Sequence, residues 1–338
     1  MSIAIEQITY DNQFVLMGTK TIVVVCAADD RYSMPLAVVA RSALDNLDYD
    51  YSMHLFVIDG GITDANKAKI EKSLDINRCK VAFVPKPTAQ LKLLEDAFQD
   101  LRGKATVETK HILSMSAAAY YRLFIPELLP KHLDRAIYLD CDLVVKSSLK
   151  QLWETDFQSN CILAVQDIWS PQISCPNTEV PYQELGIPAN AKYFNSGVLV
   201  IDLRKWRDEA IGSKAIDHLI RYGGCPHTHD QGLLNAVLAG QWGELDPQWN
   251  LTPAIIDMFP SWKESPFSEE TYRCLINRPS IIHFATNRKP WNSRHTLFKD
   301  AFFEYVDKTA WSGWRLTFWR RLKIVMTREY KKFLNRFQ

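Results

Sequence analysis

The chain alternates short unbroken apolar runs with longer segments of helical period. Residues 21–28 are apolar and rich in β-branched side chains, the pattern of a strand buried on both faces. Residues 34–47 carry a helical period. A second strand is predicted at 54–58, ended by Asp59-Gly60-Gly61, and Thr63 is placed to cap a helix reaching about residue 74. Residues 80–84 form a third apolar run, stopped by Pro85 and Pro87. Helical period returns at 89–101 and 116–123, and a further strand from Arg135 runs into Asp140. Strands alternating with helices predict βαβ units and a parallel sheet, hence an α/β, Rossmann-like nucleotide-binding half. The second half is more mixed: 161–166, 192–202 and 280–284 read as strands, and 230–238 as a helix. No internal repeat or flexible linker interrupts the pattern. The expected organisation is an N-terminal extension (1–20), one continuous domain (21–300) and a C-terminal tail (301–338).

The strand beginning at Arg135 delivers two carboxylates one residue apart, Asp140 and Asp142. If the backbone stays extended there, both side chains point to one side and Cys141 to the other. Like charges so close repel unless a cation joins them. Hard divalent ions such as Mg²⁺ and Mn²⁺ prefer oxygen ligands and often accompany phosphate groups. Asp-x-Asp also occurs as ordinary turn chemistry, but open α/β sheets bind ligands at the carboxyl ends of their strands. The first strand is followed by Ala27-Ala28-Asp29-Asp30-Arg31-Tyr32 and lacks a G-x-G-x-x-G turn, which argues against a dinucleotide cofactor.

Composition is that of a globular protein, 47% hydrophobic and 23% charged, and the net charge of +1 gives no reason to expect nucleic-acid binding. The charge is unevenly placed. From Trp311 to Gln338 eight Lys or Arg stand against Glu329 alone, a net +7, leaving −6 on the rest. Trp311, Trp314, Phe318, Trp319, Phe333 and Phe337 are interleaved with these cations, which predicts basic amphipathic helices suited to an anionic membrane surface. Packing of the same aromatics onto the body is the competing reading. The seven cysteines include no Cys-x-x-Cys pair and read as reduced thiols. With no secretory pattern at the start and no apolar run near 20 residues, the expected location is cytoplasmic.

Six segments occur in order: Ala27-Ala28-Asp29-Asp30-Arg31-Tyr32, Tyr120-Tyr121-Arg122-Leu123-Phe124-Ile125-Pro126, Tyr138-Leu139-Asp140-Cys141-Asp142, Tyr193-Phe194-Asn195-Ser196-Gly197-Val198-Leu199, Asp230-Gln231-Gly232-Leu233-Leu234-Asn235, and His283-Phe284 followed by Pro290-Trp291. Together they closely resemble glycosyltransferase family 8, retaining sugar-nucleotide transferases that include bacterial lipooligosaccharide galactosyltransferases, lipopolysaccharide glucosyltransferases and glycogenin. The resemblance implies a GT-A fold, with a Rossmann-like donor half fused to a mixed acceptor half. It implies a UDP-glucose or UDP-galactose donor, a glycan acceptor on a cell-envelope lipid, and Mn²⁺, with Mg²⁺ as alternative. By the family pattern Asp140, Asp142 and His283 are metal ligands, Lys289 sits where a cation meets the diphosphate, and Arg122 matches an Arg near the donor. Ala27, Ala28, Asp29 and Tyr32 match the nucleoside pocket beside Cys141, although Arg31 departs from the Asn of some relatives. Asp167, Asn195, Gly197, Asp230 and Gln231 match positions around the sugar, with Gln231 the candidate for stabilising an oxocarbenium-like state. Its neutral amide is a poor nucleophile, which favours front-face attack. Two other classes were weighed: a haloacid-dehalogenase-like phosphatase, which would carry its Asp-x-Asp on the first strand, and a non-catalytic sugar-nucleotide-binding protein, which an eroded metal triad would favour.

Overall fold

The computed structural model describes residues 20–92, 117–222, 229–322 and 326. Strands β1 (Lys20–Ala28), β2 (Tyr51–Asp59), β3 (Cys79–Pro85), β4 (Arg135–Leu139), β6 (Ile162–Gln166), β7 (Phe194–Asp202) and β8 (Trp242–Glu244) form a seven-stranded sheet ordered β3-β2-β1-β4-β7-β6-β8. β5 (Leu143–Val145) and β9 (Ile281–His283) form a separate antiparallel pair. The first four strands of the large sheet run parallel. β7 is antiparallel to both neighbours, and β8 returns parallel to β6.

The apolar runs become strands because both of their faces are covered. Ile22, Val24 and Cys26 pack on one side with Leu36, Val39, Ala40 and Ala43 of helix α1 (Ser33–Asp45). Val23 and Val25 pack on the other side with Leu123 and Phe124, and with Trp206, Leu219 and Leu233. Those last three come from α3 (Leu203–Asp208), α4 (Ile211–Tyr222) and α5 (His229–Val237). The result is helix, sheet, helix, with the carboxyl ends of β1 and β4 opening on one edge.

Several expectations are refined. Thr63 stands at the N-cap of α2 (Asp64–Lys72), but its side chain makes no capping bond. Its hydroxyl donates to Asp30 Oδ1 at 2.8 Å instead, and Asp30 also accepts the Thr63 N–H at 2.9 Å. The predicted helix at 116–123 is a tighter 3₁₀ segment, Ala117–Phe124. Of the predicted helix at 89–101, residues 89–92 are helical and the remainder lies outside the described residues, as do 1–19 of the expected extension. Helix α7 (Lys299–Val306), which follows α6 (Glu269–Asn277), packs Phe302, Tyr305 and Val306 against Val38, Val144 and Ile282. Trp311 and Trp314 also pack on this group, whereas Phe318 and Trp319 are 63% and 75% exposed. Most of the tail beyond residue 322 lies outside the described residues. Among the described residues, no helix is long and apolar enough to cross a membrane.

Candidate active site

The Asp-x-Asp is not extended. β4 ends at Leu139, and residues 140–142 form a turn into β5. The two carboxylates converge all the same, because each end of the turn is tied down. The Asp140 N–H donates to the Gly197 carbonyl at 2.9 Å, and the Phe284 N–H donates to the Asp142 carbonyl at 2.8 Å. Pairing of β5 with β9 sets Leu143 opposite His283, which brings His283 beside Asp142. His283 Nε2 lies 3.2 Å from Asp142 Oδ1 and 3.8 Å from Asp140 Oδ2. One ligand atom from each of the three residues lies within 4.8 Å of the others. Two carboxylate oxygens and an imidazole nitrogen, converging and largely buried, form a donor set that fits a divalent transition ion. Cys141 turns away, as expected, and its Sγ meets the Ala27 carbonyl at 3.3 Å.

Charges beneath the turn set the electrostatics. Burial would raise the Asp142 carboxyl, but neighbouring Lys289 and His283 outweigh it and hold the group below the usual carboxylate range. Lys289 Nζ pairs with Asp142 and also donates to the Phe284 carbonyl at 2.6 Å. Arg122 is buried under Asp140, and its Nη2 donates to Asp140 Oδ1 at 2.9 Å. Nη1 donates to the Ser196 carbonyl at 2.7 Å, and Nε lies 2.9 Å from Asp230 Oδ2. Burial pushes the Asp230 carboxyl up to about 6, with Arg122 opposing. Asp230 thus engages Arg122 from below. Tyr138 completes the set, donating its hydroxyl to Asp140 Oδ1 at 2.7 Å.

The remaining predicted positions fall in two groups. A cleft of about 160 Å³ runs from Ala27, Ala28, Asp29 and Tyr32 to Asp140 and Asp142. Within it Asp29 is already engaged: Arg31 donates to its Oδ2 through Nε at 2.9 Å and Nη2 at 2.5 Å. Deeper lies an amide network. Asp167 Oδ1 accepts the Trp169 and Ser170 N–H groups, both at 2.8 Å. Its Oδ2 accepts from Asn195 Nδ2 at 3.0 Å and Gln231 Nε2 at 3.1 Å. Gln231 Oε1 in turn accepts the Ser196 N–H at 3.1 Å. Gly197 sits hard against the triad, since a Cβ there would stand 2.3 Å from His283 Cε1 and 3.0 Å from Asp140 Oδ2. His283 and Asp140 thus press directly on the backbone at this glycine.

Two further residues hold this constellation in place, and of these only Asn235 lies in one of the six ordered segments. Asn250, whose Oδ1 lies 2.8 Å from His283 Nδ1, ends a short 3₁₀ turn in an irregular stretch (Pro247–Asn250). Asn235 holds α5 to β7 by exchanging bonds with both the N–H and the carbonyl of Phe194, at 2.8 and 2.9 Å.

A Rossmann-like sheet with an Asp-x-Asp and a late histidine meeting at the end of an inner strand is the arrangement expected of a GT-A glycosyltransferase, with a cluster that could hold a metal ion. The chain belongs to glycosyl transferase family 8, whose model matches residues 23–295. It is 32% identical over 294 residues to General stress protein A of Bacillus subtilis, covering 86% of this chain and 94% of that one. It is 31% identical over 178 residues to the lipopolysaccharide 1,2-glucosyltransferase of Escherichia coli, covering 52% and 50% of the two chains. Among solved structures, the galactosyltransferase LgtC in complex with donor and acceptor sugar analogues superposes with a TM-score of 0.67 at 26% identity, covering 85% of this chain and 96% of that one. Family membership leaves the phosphatase alternative without support. Its premise fails too, since the Asp-x-Asp follows the fourth strand in chain order.

Proposed function

We propose that this chain is a retaining hexosyltransferase that moves glucose or galactose from a UDP-sugar to a saccharide carried by an envelope lipid. The observation that carries the reading is the convergence of Asp140, Asp142 and His283 at the mouth of the cleft bounded by Ala28, Asp29 and Tyr32. The named activities of the relatives support the hexose and the lipid-linked acceptor. Asp140, Asp142 and His283 would hold Mn²⁺, or Mg²⁺ as the alternative; a nitrogen ligand favours Mn²⁺. The bound ion would supply charge stabilisation to the leaving diphosphate. Lys289 lies at the same place and can add a second positive charge. Both ends of the Gln231 amide are engaged, to Ser196 and Asp167, which suits an electrostatic role better than a covalent one and fits attack by the acceptor on the face the diphosphate leaves. Ala27, Asn195, Gly197, Asp230 and Asp167 complete the proposed donor site.

The test is release of UDP from UDP-glucose, UDP-galactose and UDP-N-acetylglucosamine with Mn²⁺, with Mg²⁺ and with EDTA. Release from one hexose donor is expected with metal and not with EDTA. Asp142→Asn should lower it by about 1,000-fold, the rate equivalent of about 4 kcal/mol of lost charge stabilisation. Absence of metal-dependent UDP binding by calorimetry would sink the reading.

The tail is proposed to dock on anionic lipid. Trp311 and Trp314 belong to the body, but Phe318, Trp319 and Met326 are exposed beside Arg320 and Arg321. Burying one aromatic side chain contributes about 2 kcal/mol. The double substitution Phe318→Ser, Trp319→Ser should therefore weaken co-sedimentation with anionic phospholipid vesicles by well over tenfold and leave activity on a water-soluble acceptor unchanged. Equal binding by the wild type to neutral and anionic vesicles would refute the electrostatic part.

A further inference from the structure

His283 can serve as a metal ligand through Nε2 only when that nitrogen presents a lone pair, so the ring's other proton must sit on Nδ1. We propose that Asn250 is the positioning residue that enforces this tautomer and thereby sets the affinity of the Asp140–Asp142–His283 site for its cation. The inference rests on the metal-dependent reading above, and deepens it.

The orientation of the Asn250 amide is fixed by neighbours that can only donate or only accept. The Gly197 backbone N–H can only donate, and it meets one side-chain atom of Asn195 at 3.0 Å, which must then be the oxygen. Asn195 Nδ2 therefore faces Asp167 Oδ2, a carboxylate oxygen that accepts it at 3.0 Å. Asn250 meets the same Asn195 oxygen at 2.9 Å, so the atom it offers there is its amide nitrogen. The other end of the Asn250 amide, directed at His283 Nδ1 2.8 Å away, is consequently oxygen. An oxygen there accepts; Nδ1 must donate, and it carries a hydrogen. Reversing the Asn250 amide would set two oxygens against each other at Asn195, and its nitrogen would meet an Nδ1 that could then only accept.

The backbone fixes Asn250 in place for this purpose. Asp246 closes the 3₁₀ turn by accepting the Gln248 N–H at 2.9 Å. Leu251, next in the chain, bridges to β9: its N–H donates to the Ile281 carbonyl at 2.9 Å, and its carbonyl accepts the His283 N–H at 2.8 Å. Asn250 is 7% exposed and His283 3% exposed, so water competes poorly for either side chain.

The competing tautomer has an evident attraction. With its hydrogen on Nε2, the ring would donate to Asp142 Oδ1, 3.2 Å away, and a cation would have to break that bond and displace the proton. Asn250 removes the advantage of that state by demanding a hydrogen on Nδ1. Groups that orient a metal-ligating histidine in this way typically change metal affinity by about 10–100-fold.

Two measurements on the full chain test the proposal. Long-range ¹H–¹⁵N correlation on histidine-labelled, metal-free protein reports which nitrogen of His283 bears hydrogen, and calorimetry with Mn²⁺ alone reports affinity without any sugar donor. In the wild type Nδ1 is expected to be protonated. In Asn250→Leu the Nδ1 resonance should move toward the unprotonated range and Mn²⁺ affinity should fall by about 10–100-fold. Asn250→Asp keeps an acceptor facing Nδ1 but sets an oxygen against Asn195 Oδ1, so it should retain the wild-type Nδ1 signature even where stability falls, a rescue that a purely structural role would not produce. Loss of thermal stability in Asn250→Leu with an unmoved Nδ1 resonance, or Mn²⁺ affinity equal to wild type in Asn250→Leu, would overturn the proposal. So would an unprotonated Nδ1 in the wild type, even if Mn²⁺ binds. Failure of the wild type to bind Mn²⁺ while Nδ1 is protonated would instead overturn the metal reading, and with it the consequence drawn for affinity.

Discussion

Gly197→Ala is expected to abolish metal-dependent transfer in a chain that still folds. The added methyl has no room: its carbon would stand 2.3 Å from His283 Cε1, 2.9 Å from Nδ1 and 3.0 Å from Asp140 Oδ2. Gly197 is held on its β4 edge, where its carbonyl accepts the Asp140 N–H and Val198 pairs with Leu139, so the backbone cannot retreat without breaking the tie that shapes the Asp-x-Asp turn. His283 must yield, and moving the ring breaks the 2.8 Å bond to Asn250 and pulls Nε2 away from the carboxylates. Loss of one of three ligands should cost about 1,000-fold or more in metal-dependent rate, as for Asp142→Asn. Overpacking costs about 1–3 kcal/mol, which leaves the fold standing. Steady-state kinetics together with urea unfolding separate the two effects. A Gly197→Ala variant with wild-type rate would show that the ring is not confined where it lies.

The second large effect is on stability. Arg122 balances two carboxylates, with side-chain exposures of 7% for Arg122, 7% for Asp230 and 22% for Asp140. Arg122→Met leaves both carboxylates facing each other without their cation, and removal of one partner from a buried ion pair costs about 3–5 kcal/mol. The deficit should depend on pH in a defined direction. Burial already holds Asp230 at about 6, and Arg122 works against that rise. Without the guanidinium the carboxyl moves higher still. The folded state of the variant then binds a proton that the unfolded chain, titrating near 3.9, releases. Stability conferred by that proton is present at low pH and is lost as pH rises through the folded-state value. The gap between variant and wild type in urea midpoints should accordingly narrow between pH 7 and pH 5. A gap constant over that range would show that loss of the guanidinium leaves the Asp230 titration where it was. Addition of Asp230→Asn to Arg122→Met should recover part of the loss at pH 7.

Much of this architecture was legible because its cause is local. Residues 22–28 and 55–58 are continuously apolar, since the strands they form are covered on both faces, and such runs have few alternatives. The Asp-x-Asp was legible for a similar reason: two charges at the end of a buried strand need a partner. Its backbone was not. A turn and an extended segment both bring the carboxylates together here, and the turn arises from hydrogen bonds to Gly197 and Phe284, residues far along the chain. The direction of β7 was equally out of reach, because an apolar strand reads the same in either orientation and only the long connection decides it. β5 and β8, at three residues each, are too short to carry a period. Thr63 looked like a cap by residue type, and Asp30, 33 positions earlier, took its hydroxyl. Asn250 illustrates the general limit. Its importance lies in what its two amide ends touch, and nothing in Trp249-Asn250-Leu251 foretells a contact with Asn195.

The antiparallel pairing of Leu143 with His283 joins two segments 140 positions apart, one near the middle of the chain and the other close to its end. During synthesis the nucleotide-binding strands leave the ribosome long before β9 does. A nascent chain that has already formed β1 to β4 holds Asp140 and Asp142 but lacks the third ligand and the Leu251 bridge that positions it. Until residue 283 is made, Asp140 has Arg122 beside it but neither carboxylate has His283, so the proposed cation site closes late in synthesis.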